Sequence, residues 1–183
     1  MLVLIKGAGD LATGAAVRLY RAGIPVVMTE VAQPTAVRRT VAFSQCMYDG
    51  AAQVEGISAR RAEDAGAARR ALERGEVPVL CDPAAAILGE LPFDGVVDAI
   101  LAKRNLGTAI TDAPVVLALG PGFTAGVDCH GVVETMRGHN LGRLLTQGSA
   151  APNTGVPGDV GGYTTQRIIR APADGAFEPL AAI

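Results

Sequence analysis

Tryptophan is absent from this 183-residue chain, and with three Tyr and four Phe the aromatics make up only 4%. That scarcity argues against a base-stacking platform for single-stranded nucleic acid. An excess of one charge is also missing. The 16 Lys+Arg and 18 Asp+Glu leave a net charge of −2, so there is no global basic footprint for nucleic acid. Cysteine is sparse: Cys46, Cys81 and Cys129 are odd in number, far apart and form no CxxC, which suits a reducing cytosol. The first apolar run ends at Lys6 and is too short for a signal core or a membrane span. GxSxG, the Walker A lysine motif and HExxH are all missing, and no nucleophile stands beside an obvious base. The expectation is a cytoplasmic protein that engages neither nucleic acid nor membrane.

What is present is a hydrophobic content of 49% against 19% charged residues, enough for a sizeable core in one domain or one domain with an appendage. The front of the chain is the most specific part. Leu2, Val3, Leu4, Ile5 and Lys6 read as a strand, and Gly7-Ala8-Gly9-Asp10-Leu11-Ala12 follows as G-x-G-x-x-A. A helix pattern comes next, with Leu11, Ala15 and Leu19 on one face, then a second strand, 26–30, that ends in Glu30. This is a dinucleotide-binding fingerprint in its expected context. Gly7 allows a tight turn, Gly9 lets a pyrophosphate approach the backbone, and Ala12 is small enough for helix and strand to pack. The helix N-terminus offers unpaired N–H groups to phosphate, and Glu30 is placed to accept from ribose hydroxyls. Asp10 is the discordant residue: it suits a helix start, but its charge repels a phosphate.

Further along, patterning predicts helices over 36–48 and 63–74 and strands over 54–60, 77–81, 96–100 and 115–119. Apolar strands alternating with helices imply an α/β class, a Rossmann-like doubly wound parallel sheet covered on both faces. Ligands in such folds bind beyond the strand C-termini. One rim is therefore expected to gather the Gly7 turn, Glu30, Asp82, Lys103-Arg104-Asn105 and Gly120-Pro121-Gly122-Phe123. Residues 1–123 read as the nucleotide-binding domain. Residues 124–183 read as a smaller β-rich appendage, with short strands over 132–135, 141–145 and 167–170. Its final segment, 171–179, resembles the opening of another strand pair or a docking strand.

Gly120 and Gly122 form a second strand-then-glycine loop suited to a second phosphate or a pterin-like ring, with Phe123 beside it. Lys103, Arg104 and Asn105 combine two cations and an amide, a set that suits phosphate. Asp98 lies inside an apolar strand and needs a hydrogen-bonding partner. Asp128, Cys129 and His130, with Glu134 and His139, are suitable metal-ligand types, but their spacing matches no zinc pattern and no metal is expected.

The segments 6–14, 30–43, 97–105 and 119–123, followed by Asp128, His130, Glu134-Thr135 and Arg137-Gly138-His139, together resemble the selenium-dependent molybdenum hydroxylase accessory family, the YqeB-type proteins. Full members of that family look longer, so the chain resembles a member cut short. The resemblance implies a role in maturing molybdenum hydroxylases, with the hydroxylase apoenzyme as partner and a molybdopterin or its dinucleotide form as cofactor. It supplies no catalytic residues. An accessory protein that binds and delivers or modifies a cofactor is therefore the first expectation. The alternative is an NAD-dependent oxidoreductase, in which His130 or His139 would have to serve as acid or base.

Overall fold

The computed structural model describes residues 1–156, 158–167 and 171–175. Among the described residues nine strands share one sheet: β1 (Val3–Lys6), β2 (Val26–Glu30), β3 (Ala51–Val54), β4 (Ile57–Ala62), β5 (Val77–Cys81), β6 (Gly95–Asp98), β7 (Val115–Leu119), β8 (Gly131–Val133) and β9 (Leu144–Leu145). Their order is β3-β4-β5-β2-β1-β6-β7-β8-β9. All neighbouring pairs from β4 through β8 are parallel, and β3 and β9 pair antiparallel at the two edges. The α/β, Rossmann-like expectation holds.

Alternation within the strands divides the apolar residues between two cores. Val3, Ile5, Val26, Met28, Val77 and Val79 face one side, where helix α1 (Asp10–Arg21) lays down Ala12, Ala16 and Val17. Leu4, Val27, Leu80, Val96, Val116 and Val132 face the other, with Ala65 and Ala68 of helix α3 (Ala65–Glu73). Each fully buried Val or Leu contributes about 1.5–3 kcal/mol, so the central strands carry most of the stability. The small residues of α1 let it lie close on β1 and β2. Asp64 starts α3 by accepting the Ala67 N–H at 2.6 Å, a cap typically worth about 1 kcal/mol.

Three expectations need correction. The helix over 36–48 is instead a loop with 3-10 turns at Arg39–Val41 and Phe43–Gln45, leading into the short helix α2 (Cys46–Asp49). Tertiary bonds divert it: Phe43 N–H goes to Thr13 Oγ1 at 2.9 Å and Ser44 N–H to Ala8 O at 2.8 Å, which removes both donors from a helical ladder. The strand over 54–60 is a hairpin, β3 and β4, turning at Glu55-Gly56 with φ of +50° and +80°. Among the described residues, no α-helix lies between β6 and β8, so loops make the crossovers on that side.

Residues 124–152, expected in the appendage, extend the same sheet and core through β8, β9, Ala125, Cys129 and Ala150. The chain divides into two compact units, Met1–Pro152 and Asn153–Ile183. In its described part the second unit has a Val160–Tyr163 bridge and a 3-10 turn at Thr165–Arg167. The strand expected over 167–170 and the end of the 171–179 segment lie largely outside the described residues. No described helix is long and apolar enough to cross a membrane.

Candidate functional site

β1 is the topological switch point. The chain leaves it to pair with β2 on one side and β6 on the other, and their C-terminal ends splay into a crevice. Gly7 makes the turn out of β1 with φ +92°, and a Cβ there would lie 3.0 Å from Ala99 O and 3.1 Å from Ile100 N and Cα. A larger residue would force the β6 exit away. Gly9 is different. It opens α1 without a side-chain cap, it lines the crevice, and a Cβ on it would meet no protein atom within 4 Å. The N–H groups of the first turn of α1 have no intrahelical acceptor, so they are available to an anion. Ala12 is buried against the strands.

The crevice has a volume of about 280 Å³ and is lined by Gly7, Gly9, Asp10, Ala12, Glu30 and Leu101 among others. A smaller pocket of about 60 Å³ adjoins it, with Gly7, Glu30 and Ile100 in both walls. Glu30 sits at the end of β2 and turns its carboxylate back onto the chain: Oε2 accepts Ala8 N–H at 2.9 Å and Oε1 accepts Val31 N–H at 2.8 Å. It therefore holds the glycine turn as well as lining the crevice. Asp10 is paired with the Arg38 guanidinium, which offsets the negative charge it brings to the helix start.

The rest of the expected rim divides by role. Lys103 and Arg104 are exposed, make no ion pair among the described residues, and follow the exit of β6. The glycine loop after β7 packs on them: a Cβ on Gly122, at φ +110°, would lie 2.6 Å from Arg104 N and Cα. Gly120 is equally constrained, 2.7 Å from Thr135 Oγ1 and 3.3 Å from Leu101. Both glycines are thus required by contact between loops, and Pro121 sits half-buried between them. Phe123 is 4% exposed in the core, so its ring is not available to cover a ligand. Asn105 is occupied internally: Oδ1 accepts Gly107 and Thr108 N–H at 2.9 and 2.8 Å, and Nδ2 donates to Thr108 O at 2.8 Å. Asp82 caps the turn after β5, accepting Ile87 N–H at 3.0 Å.

A buried pair of opposite charges completes the picture. Lys6 and Asp98 are register partners on β1 and β6, both nearly buried at 3% and 1% exposure. The Thr108 hydroxyl stands between them, accepting from Lys6 Nζ at 2.5 Å and donating to Asp98 Oδ2 at 2.6 Å. This is the partner that Asp98 needed. The signal in the sequence was a buried-strand Lys and a buried-strand Asp of opposite sign, each at a strand end.

Asp128, Cys129 and His130 lie just before β8, outside the crevice lining. His130 Nδ1 accepts Val116 N–H at 3.0 Å and Asp128 accepts Thr124 N–H at 2.7 Å. Cys129 is buried in the core, and burial pushes its thiol up. The cysteine at the crevice edge is instead Cys81, exposed at the end of β5 in register with Glu30. Glu134 accepts N–H groups from Met136 at 2.7 Å and Ala151 at 2.8 Å, the Ala151 bond foremost in holding its carboxyl below the usual range. No group of three or more His, Cys, Asp or Glu converges among the described residues.

A glycine turn at the switch point, a helix N-terminus above it and an acid closing β2 define a Rossmann-like α/β protein with a crevice at its strand ends. The chain is similar to the Escherichia coli (strain K12) protein whose printed name is "Uncharacterized protein YqeB", with 58% identity over 174 residues. That match covers 95% of this chain and 32% of the relative, and it supports placing the chain with the YqeB-type proteins. The chain thus spans about a third of the length of the relative it matches. No family model matches, and no solved structure matches.

Proposed function

We propose that the Met1–Pro152 unit binds a nucleotide-bearing ligand across the C-terminal ends of β2, β1 and β6, and serves as an accessory protein in the maturation of molybdenum hydroxylases of the selenium-dependent type. The single observation that carries the binding is Gly9. Protein packing does not require a glycine there, since a Cβ would meet nothing within 4 Å. Its bare backbone at the mouth of the crevice leaves room for a phosphate to lie against the helix start.

The crevice of about 280 Å³ fits one phosphorylated nucleoside end of a ligand. Gly7, Gly9 and the first turn of α1 form the phosphate turn, and Glu30 retains lone pairs for a ribose hydroxyl. Lys103 and Arg104, without an ion pair among the described residues, supply charge for a further phosphate. These residues suit a molybdopterin dinucleotide, whose pyrophosphate and two ring systems need this sequence of groups. The molybdenum assignment rests on the YqeB-type resemblance. The protein's task in that reading is to hold the cofactor and deliver it, or present it for modification, to the hydroxylase apoenzyme.

Native mass spectrometry of freshly purified protein tests this. A bound mass equal to a molybdopterin dinucleotide, lost in Gly9→Val, supports cofactor handling. Failure of added molybdopterin, NAD or FAD to change the mass or the thermal midpoint would count decisively against the site.

One observation favours a second reading. An acid at the end of β2 suits the ribose diol of NAD. An NAD-dependent oxidoreductase would then need an acid–base group, and His130 lies outside the crevice lining with Nδ1 already accepting from Val116. NADH turnover that survives His130→Ala and depends on His139 would promote that reading.

A further inference from the structure

The loop that walls the crevice is fastened at both ends: Asp98 Oδ1 accepts the Ile100 N–H at 3.2 Å where the chain leaves β6, and Thr108 ties the far end among buried charges. Ile100 and Leu101 form the β6 side of the crevice. Leu101 and Lys103 have φ of +60° and +64°, left-handed conformations that a side chain does not favour. They persist because the loop is held beyond them. Asn105 stitches Gly107 and Thr108 into a rigid turn, and Thr108, 3% exposed, places its hydroxyl between Lys6 Nζ and Asp98 Oδ2.

The chemistry of that junction is restrictive. Lys6 and Asp98 neighbour each other across β1 and β6, yet their charged groups form no ion pair within 4.0 Å. They are joined only by a group that can accept from the ammonium and donate to the carboxylate in the same instant. A hydroxyl does both, and an isosteric methyl does neither. Both charges lie on the sheet, which is rigid, whereas Thr108 lies on the loop. The junction therefore fixes the loop to the sheet directly below the glycine turn.

We infer that Thr108 is the positioning residue of the crevice: clamped between Lys6 and Asp98, it holds the loop beyond Ile100, which carries the Leu101 wall and presents Lys103 and Arg104 to the phosphates of a nucleoside diphosphate. This deepens the nucleotide reading above and rests on it. Arg104 sits between the strained Lys103 and the clamp, and Gly122 packs against the backbone of both cations. Release of Thr108 lets this segment relax toward ordinary φ values, which moves both cations and opens the wall. The nucleoside end of the ligand, lying toward β2, is less affected.

The test is calorimetry with ADP, GDP and CDP and their parent nucleosides on wild type, Thr108→Val and Thr108→Ser. For the best-bound diphosphate, Thr108→Val should weaken binding at least tenfold while the nucleoside changes less than threefold. Thr108→Ser, which keeps the hydroxyl, should stay within threefold of wild type. If Thr108→Val does not fold, the triple variant K6M/D98N/T108V removes both buried charges, keeps a side-chain oxygen for the Ile100 N–H, and should show the same selective loss. In ligand-free protein, hydrogen exchange at residues 100–107 should speed up in the variant while β1 and β6 stay protected.

A variant that binds diphosphate as tightly as wild type, or that loses diphosphate and nucleoside equally, overturns the positioning role and leaves the nucleotide reading intact. A wild-type protein that takes none of the three diphosphates overturns both.

Discussion

Glu30 Oε2 accepts the backbone N–H of Ala8 at 2.9 Å, joining the end of β2 to the glycine turn that leaves β1. With Oε1 on Val31 N–H, one carboxylate sets the shape of two adjacent strand exits. Each oxygen keeps a lone pair, so the same group is at once a structural brace and an open acceptor.

Removing that brace should cost stability even without ligand. Glu30→Ala leaves the part-buried Ala8 N–H without its acceptor, a loss of about 1 kcal/mol, while the exposed Val31 N–H turns to water. Glu30→Gln keeps one acceptor oxygen and should lose less. Urea midpoints of the two variants check this ordering; midpoints equal to wild type would show that the brace carries no load.

The two glycines of the turn should behave in opposite ways. Gly7→Ala meets backbone at 3.0–3.1 Å in a left-handed conformation, and we expect destabilisation on the order of 1–3 kcal/mol or more. Gly9→Ala has open space and a φ of −64°, so its stability should fall by about 1 kcal/mol or less. Ligand affinity should follow the other order for the folded proteins, with Gly9→Val losing at least tenfold. Thermal melts paired with calorimetry separate the two roles.

Thiol labelling should be selective. Burial pushes Cys46 up to about 12 and raises Cys129 as well, so neither presents much thiolate near neutral pH. Cys81 is exposed. A maleimide at pH 7.5 should add once to the native protein, at Cys81, and to all three cysteines after unfolding. Rapid labelling of Cys129 in the native state would contradict the burial described above.

Acid should unfold the protein partly through Glu134. Its carboxyl is held below the usual range by the N–H groups of Ala151 and Met136, so the folded protein binds this proton less readily than the unfolded chain. The stabilisation is complete above the unfolded carboxyl value, near pH 4.3, and is lost as pH falls through the lower folded value. Glu134→Gln should be less stable at pH 7 and show a flatter loss between pH 5 and 3. A pH profile parallel to wild type would remove Glu134 from the acid transition.

The parallel strands were legible because their signals are local. The bounds of β2, β5 and β7 coincide with apolar runs closed by an acid, a Cys and a glycine. The stretch 36–48 was not legible as a loop, because what prevents a helix is the hold of Thr13 and Ala8 on Phe43 and Ser44, residues distant in sequence. The Glu55-Gly56 turn was hidden because Glu rarely takes a positive φ. In the candidate site, the Gly7 turn and Glu30 could be read from spacing. The role of Thr108 could not, since it depends on a lysine 102 positions away. Phe123 was misplaced for a simpler reason: an aromatic after a glycine loop reads the same whether it enters the core or covers a ligand.

The antiparallel strands at the two borders have a consequence for assembly. β3 is a short hairpin arm and β9 is two residues long, so neither border offers an extended ladder of free amides for strand addition. Among the described residues the sheet therefore ends in short arms on both sides, which leaves few free backbone donors and acceptors along its borders.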